Sequence, residues 1–370
     1  MAKTAICKFL AIHSLPFSLG GFLFCQNLMI GVFDRNEEVV VRKKTSVAYI
    51  ISIVLLLASM WLGISYGTVD IPFSTLWDKE TNPTAYSVLW NIRMPRVVLS
   101  LLVGASLAIA GAAFQGLLKN PLADPYTLGI SSGASVGAVA TIFFGLSIPI
   151  LGMYTLPFFS MLGAIITIIG VMSFARVVDR TMKMETLILT GIIFSSFLGS
   201  CISLMVALTG EQLREIIGWL LGSVSMRGWP YVSMILPFVI VGTIIIWFNR
   251  RELNAMVYGE ERAQYLGVNV KRSKYFILAG GSMLTGASVA VSGTIGFVGL
   301  VVPHMVRMMY GADHRHLLLL SWLNGASLLI ICDLVSRTII SPRELPIGVI
   351  TAFIGAPVFA YIFFKQRRGA

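Results

Sequence analysis

The chain reads as an all-α polytopic membrane protein of about ten transmembrane helices held together by small-residue packing. Three observations predict this. Of its 370 residues, 56% are hydrophobic and only 12% charged, its mean hydropathy is +0.83, and apolar runs long enough to cross a bilayer recur along almost its whole length. About 20 such residues cross about 30 Å of hydrocarbon, and a soluble domain does not have this composition.

The expected spans cover residues 47–67, 97–117, 126–145, 155–177, 186–208, 231–248, 275–292, 295–310, 317–338 and 345–364. The eighth is short and carries Pro303, His304 and Arg307, which points to a shallow or broken helix. Residues 47–368 form one transmembrane domain. Residues 1–46 read as an N-terminal extension, either a doubtful span or a start placed upstream of Met29. His13, Pro16, Gly20 and Gly21 make it a poor crossing, and a signal-peptide cleavage pattern is not evident.

Ten spans put both ends of the core on one side, and the segments on that side carry most of the 28 Lys and Arg residues. The positive-inside bias therefore places Arg42, Lys43 and Lys44, and the tail Lys365, Arg367 and Arg368, in the cytoplasm. This topological signal accounts for most of the net charge of +11, so the basic character calls for no nucleic-acid partner.

Between the second and third spans lies Asn120-Pro-Leu-Ala-Asp-Pro125, followed by Gly129 and Gly133. Pro121 and Pro125 each fix φ, remove a backbone donor and push Asn120 and Asp124 out of helical geometry, so the chain must turn sharply there. Small residues recur within spans: Gly104, Ala108, Gly111 and Gly116; Gly129, Gly133 and Gly137; Gly293, Gly296 and Gly299. In lipid, where apolar burial does not drive association, close backbone approach at such residues is a main source of cohesion.

The motifs exclude more than they assign. The span centres are almost free of ionisable residues, so a proton or sodium motor has no visible site. No phosphate-cradling G-x-x-x-x-G-K-[ST] and no H-E-x-x-H occurs, and no catalytic residue is assigned. Four scattered cysteines and four dispersed histidines suggest neither a disulfide framework nor a metal site, and no cofactor is expected. Asp313, His314, Arg315 and His316 read as a hydrated connection.

Six ordered segments together resemble the binding-protein-dependent permeases for iron(III) siderophores, haem and cobalamin, the membrane subunits of ABC importers. They are Arg93-Met-Pro-Arg96, Gly104-Ala-Ser-Leu-Ala-Ile-Ala-Gly111, Asn120-Pro-Leu-Ala-Asp-Pro125, Gly296-Phe-Val-Gly-Leu-Val-Val-Pro-His304, Asp313-His-Arg315 and Glu344-Leu-Pro-Ile-Gly348. The resemblance covers residues 47–368 and implies a fold like that of the cobalamin importer permease. It also implies a bacterial cytoplasmic-membrane location, a second permease subunit (identical or a close paralogue), two cytoplasmic ATPases and an extracytoplasmic substrate-binding protein.

The resemblance assigns roles to residues as well. Arg93, Arg96 and Arg337 match arginines that dock the binding protein, with Arg343 as a further candidate; Asp333 and Arg337, at i and i+4, could instead simply pair with each other. The segment 249–274 reads as two short helices joined at Gly259. In it Leu253, Gly259 and Gly267 shape an ATPase-coupling element, Glu260, Glu261 and Arg262 supply polar contacts, and Tyr265 and Leu266 supply apolar anchors.

Trp219, Gly222 and Ser223, on and just after a short helix outside the membrane, are candidates to gate the path; their pattern leans towards a ferric siderophore over cobalamin, with haem open. Met184 and Glu185 depart from the small hydroxyl residues the family places at its inner gate, so that role is not carried over. An ATP-independent channel or carrier is the alternative from a different class. It would transport with no partner.

Overall fold

The computed structural model describes residues 45–67 and 82–368. The chain divides into two units, Met1–Tyr49 and Ile50–Ala370. The expected extension 1–46 lies outside the described residues except for Thr45 and Ser46.

In chain order the long helices are α1 (Thr45–Ser65), α2 (Pro83–Leu117), α3 (Ile130–Phe143), α4 (Thr155–Val178) and α5 (Met184–Leu208). A short α6 (Leu213–Leu220) precedes α7 (Gly228–Phe248), and two more short helices, α8 (Arg250–Val257) and α9 (Glu260–Tyr265), lead to α10 (Val270–Ser292). The chain ends with α11 (Val298–Tyr310), α12 (His314–Thr338) and α13 (Ile347–Arg368). Among the described residues seven helices are long and apolar enough to cross a membrane, and α3 and α13 are shorter apolar helices. Every expected span thus has its helix.

The core is built around α2, which packs most extensively on antiparallel α12 and also contacts α10, α11 and α7. Glycine makes the α2 to α12 contact possible. A Cβ at Gly104 would collide with the Gly325 carbonyl, and one at Gly325 would strike Ala108. Beside this seam Leu56 and Ile64 of α1 join Leu89, Val97, Ala326 and Ile330 in one apolar cluster. Gly296 is a correction: nothing lies near where its Cβ would be, so it packs no helix.

Three expected boundaries move for identifiable reasons. α2 starts at Pro83, well before residue 97, because the chain passes Pro95 without breaking. Leu89–Arg93 is a π turn, and in that register the carbonyl left without a partner by Pro95 is that of Trp90. The Trp229 indole donates to it at 2.9 Å.

α3 starts four residues later than the expected 126. Pro125–Leu128 forms a 3-10 turn capped by Asp124, and the chain re-enters helix only after Gly129 at φ 79°. At 1.5 Å per residue the 14 residues of α3 reach about 21 Å, short of a full crossing.

α11 is the broken element foreseen at the eighth span: 13 residues that start after Phe297 in left-handed conformation and contain Pro303. Pro303 frees the Gly299 carbonyl four residues back. The Gln115 amide of α2 turns towards it at 3.4 Å and bonds the Leu300 carbonyl at 3.1 Å. Gly111 lets α2 come close enough, since a Cβ there would collide with Gly299.

Candidate docking, gating and coupling sites

The arginine-rich end of α2 is held by an ion-pair network. Arg96 Nε donates to both carboxylate oxygens of Asp333, at 2.8 and 3.1 Å, and its Nη1 donates to Glu344 at 2.8 Å. Arg337 Nε stands 3.7 Å from the same Asp333, the i, i+4 pairing weighed from the sequence, and its Nη2 donates to the Gly63 carbonyl. Arg93 donates to the Ile64 and Ser65 carbonyls at 3.0 and 2.9 Å, fastening the end of α1.

Arg93, Arg96, Asp333 and Arg337 are all buried, whereas Arg343 is exposed. The four candidate docking arginines therefore share one end of the bundle but divide into a buried scaffold and one accessible charge. Glu344 lies among them. Burial pushes its carboxyl up, but the hydrogen bond and charge of Arg96 outweigh this and hold it below the usual range.

The Asn120–Gly129 connection folds as two Asx turns. Asn120 Oδ1 accepts from the Leu122 amide at 2.9 Å, and Asp124 Oδ1 accepts from the Tyr126 amide at 3.2 Å. Each residue preceding a proline thus satisfies its own turn. Tyr126 then reaches the break between α10 and α11, donating to the Ile295 carbonyl at 2.6 Å and accepting from the Ile295 amide at 3.0 Å. Burial pushes the Asp124 carboxyl up to about 6, against the lowering effect of its bond from Tyr126.

The candidate gate residues meet the same break. Gly222 needs φ +76°, and a Cβ there would collide with the Thr294 carbonyl. Its own carbonyl accepts from the Ile347 amide at 3.0 Å, and the Ser223 amide donates to the Ser292 carbonyl at 2.7 Å. Thr294 also donates to the Leu220 carbonyl. Trp219 is buried, with its indole nitrogen unpartnered. Sequence order concealed this: α6, the α10–α11 break and the start of α13 form one node.

The candidate coupling segment has the expected form of two short helices, α8 and α9, separated by Gly259 at φ +119°. Tyr265 and Leu266 project outward, 89% and 71% exposed, followed by Gly267 at φ +85°. Glu261 and Arg262 are exposed too. Leu253 is fully buried, which makes it a root of α8 in the bundle.

Glu260 faces inward, its carboxylate 2.8 Å from Lys274 Nζ. Asn254, missed from the sequence, ties α8 to α12: its Oδ1 accepts from the His314 amide at 2.8 Å, and its Nδ2 donates to Asp313 at 2.7 Å. His314 is correspondingly buried against Gly116, which corrects the hydrated reading of that residue.

Residues 55–365 match the model of the FecCD transport family. The chain is 57% identical to an uncharacterized ABC transporter permease, YvrB of Bacillus subtilis, over 89% of its own length and 96% of that protein's. It is 41% identical to the cobalamin import permease BtuC of Halobacterium salinarum (81% and 79% covered) and 39% identical to the hemin transport permease HmuU of Yersinia pestis (85% and 95%). A metal-chelate type ABC transporter solved in an inward-facing conformation superposes with a TM-score of 0.78 at 30% identity, covering 86% of this chain and 99% of that one. The chain therefore belongs to the FecCD transport family, as a membrane-spanning permease of an ABC importer.

Proposed function

We propose that this permease carries an iron(III)–siderophore complex across the bacterial cytoplasmic membrane, with 47–368 as the transmembrane domain and its core termini in the cytoplasm. The observation that carries the reading is the exposed Tyr265–Leu266 pair on a short helix whose other face is rooted in the bundle. An apolar knob of this kind suits a groove on a soluble partner. Since no nucleotide-binding loop occurs in the chain, two ATPase subunits supply the energy from that side.

A second permease subunit completes the path. α5 leaves room for it, because almost none of its length is covered by its own chain. A binding protein docks at the opposite end, over the surface built on Arg93, Arg96, Arg337 and Arg343. Arg343 is the charge it meets first, and an acidic residue from it would compete with Glu344 for Arg96. Motion then passes through Leu253 to Gly267 and reopens the node at Trp219, Gly222 and Ser223 on the other side of the membrane.

The metal-chelate character of the superposed transporter and the hemin transport by HmuU favour iron, and uptake assays decide the chelate. A strain lacking this gene and the same strain complemented with it are given labelled ferric siderophores, haem and cobalamin. Gene-dependent uptake of a ferric siderophore is expected. Uptake of cobalamin or haem alone would overturn the substrate assignment.

A further inference from the structure

Lys274 stands near the start of α10, its side chain fully enclosed although it is cationic. Its ammonium gathers acceptors from two separate parts of the chain. Nζ donates to Glu260 Oε2 of α9 at 2.8 Å, to the Met182 carbonyl at 2.9 Å and to the Thr181 carbonyl at 3.5 Å. A buried ammonium is costly unless it is paired and its donors are used. Here one carboxylate and two carbonyls meet that need.

The carbonyls belong to the connection between α4 and α5. Met182 is buried and held at φ +51°, a conformation a non-glycine residue adopts only when its surroundings impose it. Asp179 braces the same turn by accepting from Thr181 and from the Lys183 amide. The turn leads straight into α5 at Met184, and α5 is otherwise little covered by its own chain. The root of α5 is thus fixed to α9 through one ammonium.

We infer that Lys274 is a positioning residue that transmits movement of the coupling helix α9 to the root of α5, so that the partner's stroke reaches the helix exposed along the flank of the bundle. The inference rests on the coupling role proposed for α8 and α9. Asn254 sets the contrast, since it ties α8 to the start of α12. By the hydrogen bonds described, α8 is thus tied to the start of α12, and α9, through Lys274, to the turn before α5.

The test uses the permease assembled with its ATPase in proteoliposomes, with its binding protein added, and measures substrate uptake per ATP hydrolysed. The probes are ferric citrate, ferrichrome, haemin and cyanocobalamin, scored on whichever the wild type takes up. Lys274→Met and, separately, Glu260→Ala are expected to lower that ratio about tenfold, a typical size for coupling between sites. Lys274→Arg, which keeps the charge and the donors, should restore most of it.

A purely structural role would reduce uptake and hydrolysis together and leave the ratio unchanged; that result, or a wild-type ratio in Glu260→Ala, overturns the inference. Failure of the underlying reading is separately visible. If Tyr265→Ala with Leu266→Ala still binds the ATPase at wild-type affinity, α9 is not its dock, whatever Lys274 does.

Discussion

Asp333→Asn removes the one charge that serves two buried arginines, so its cost can be worked from the network around it. Asp333 is fully buried, takes both bonds from Arg96 Nε at 2.8 and 3.1 Å and lies 3.7 Å from Arg337. Breaking a buried pair while leaving its partner in place costs about 3–5 kcal/mol, because an uncompensated charge stays in a low dielectric. Glu344 remains on Arg96 at 2.8 Å and softens the loss. Arg337, however, keeps only the Gly63 carbonyl among the bonds described.

A loss of about 3 kcal/mol follows, a large share of the 5–15 kcal/mol typical of a folded protein. The assay is equilibrium unfolding of the purified permease in mixed micelles, followed by tryptophan fluorescence, with Arg96→Gln and the double variant completing a cycle. A coupling energy above about 1.5 kcal/mol is expected, since a hydrogen-bonded charge pair exceeds that of exposed pairs. A destabilisation below about 1 kcal/mol, the value of a solvent-exposed ion pair, would refute the reasoning. The same network explains why Arg343→Glu tests docking more cleanly than charge reversal at Arg96 or Arg337, which would disrupt the scaffold itself.

Other outcomes follow from single contacts. Gln115→Leu leaves the Gly299 and Leu300 carbonyls unanswered beside Pro303 and should cost about 1–3 kcal/mol in the same unfolding assay. Gly111→Leu forces α2 away from Gly299 and should abolish stable expression, while Gly296→Ala, with open space around it, should be tolerated. Asp124 has a folded pKa of about 6 against an ordinary 3.8, so the folded state binds its proton more tightly. Its contribution to stability is therefore fully present below about pH 4 and is lost as pH rises through 6, by at most about 3 kcal/mol. Asp124→Asn, which can still cap Tyr126, should flatten that part of the pH–stability curve; an unchanged curve would show that Asp124 does not ionise in this window.

The membrane made the helices legible. Because each crossing needs about 20 apolar residues, the runs in the sequence located every long helix, including the weak one around Pro303. Boundaries set by backbone chemistry were harder to read. Pro95 looks like a helix start, and only the indole of Trp229, far along the chain, shows how α2 passes through it.

Side-chain partnerships were least legible where they span the sequence. Asp333 and Arg337 are visible as an i, i+4 pair, but Arg96 lies 237 residues from Asp333. Lys274 resembles an ordinary positive flank until the Met182 carbonyl, 92 residues away, is seen beside it. Tyr265 and Leu266, expected from the sequence to be apolar contacts, do stand exposed, whereas the polar link made by Asn254 carried no signal in the sequence.

Reconstitution tests most directly whether this chain opens and closes a path that its partners power. Purified permease is placed in vesicles alone, or with its ATPase and binding protein and ATP, and accumulation of a labelled ferric siderophore against its gradient is followed. Accumulation only with the partners and ATP is the predicted result. Accumulation by the permease alone would contradict the account.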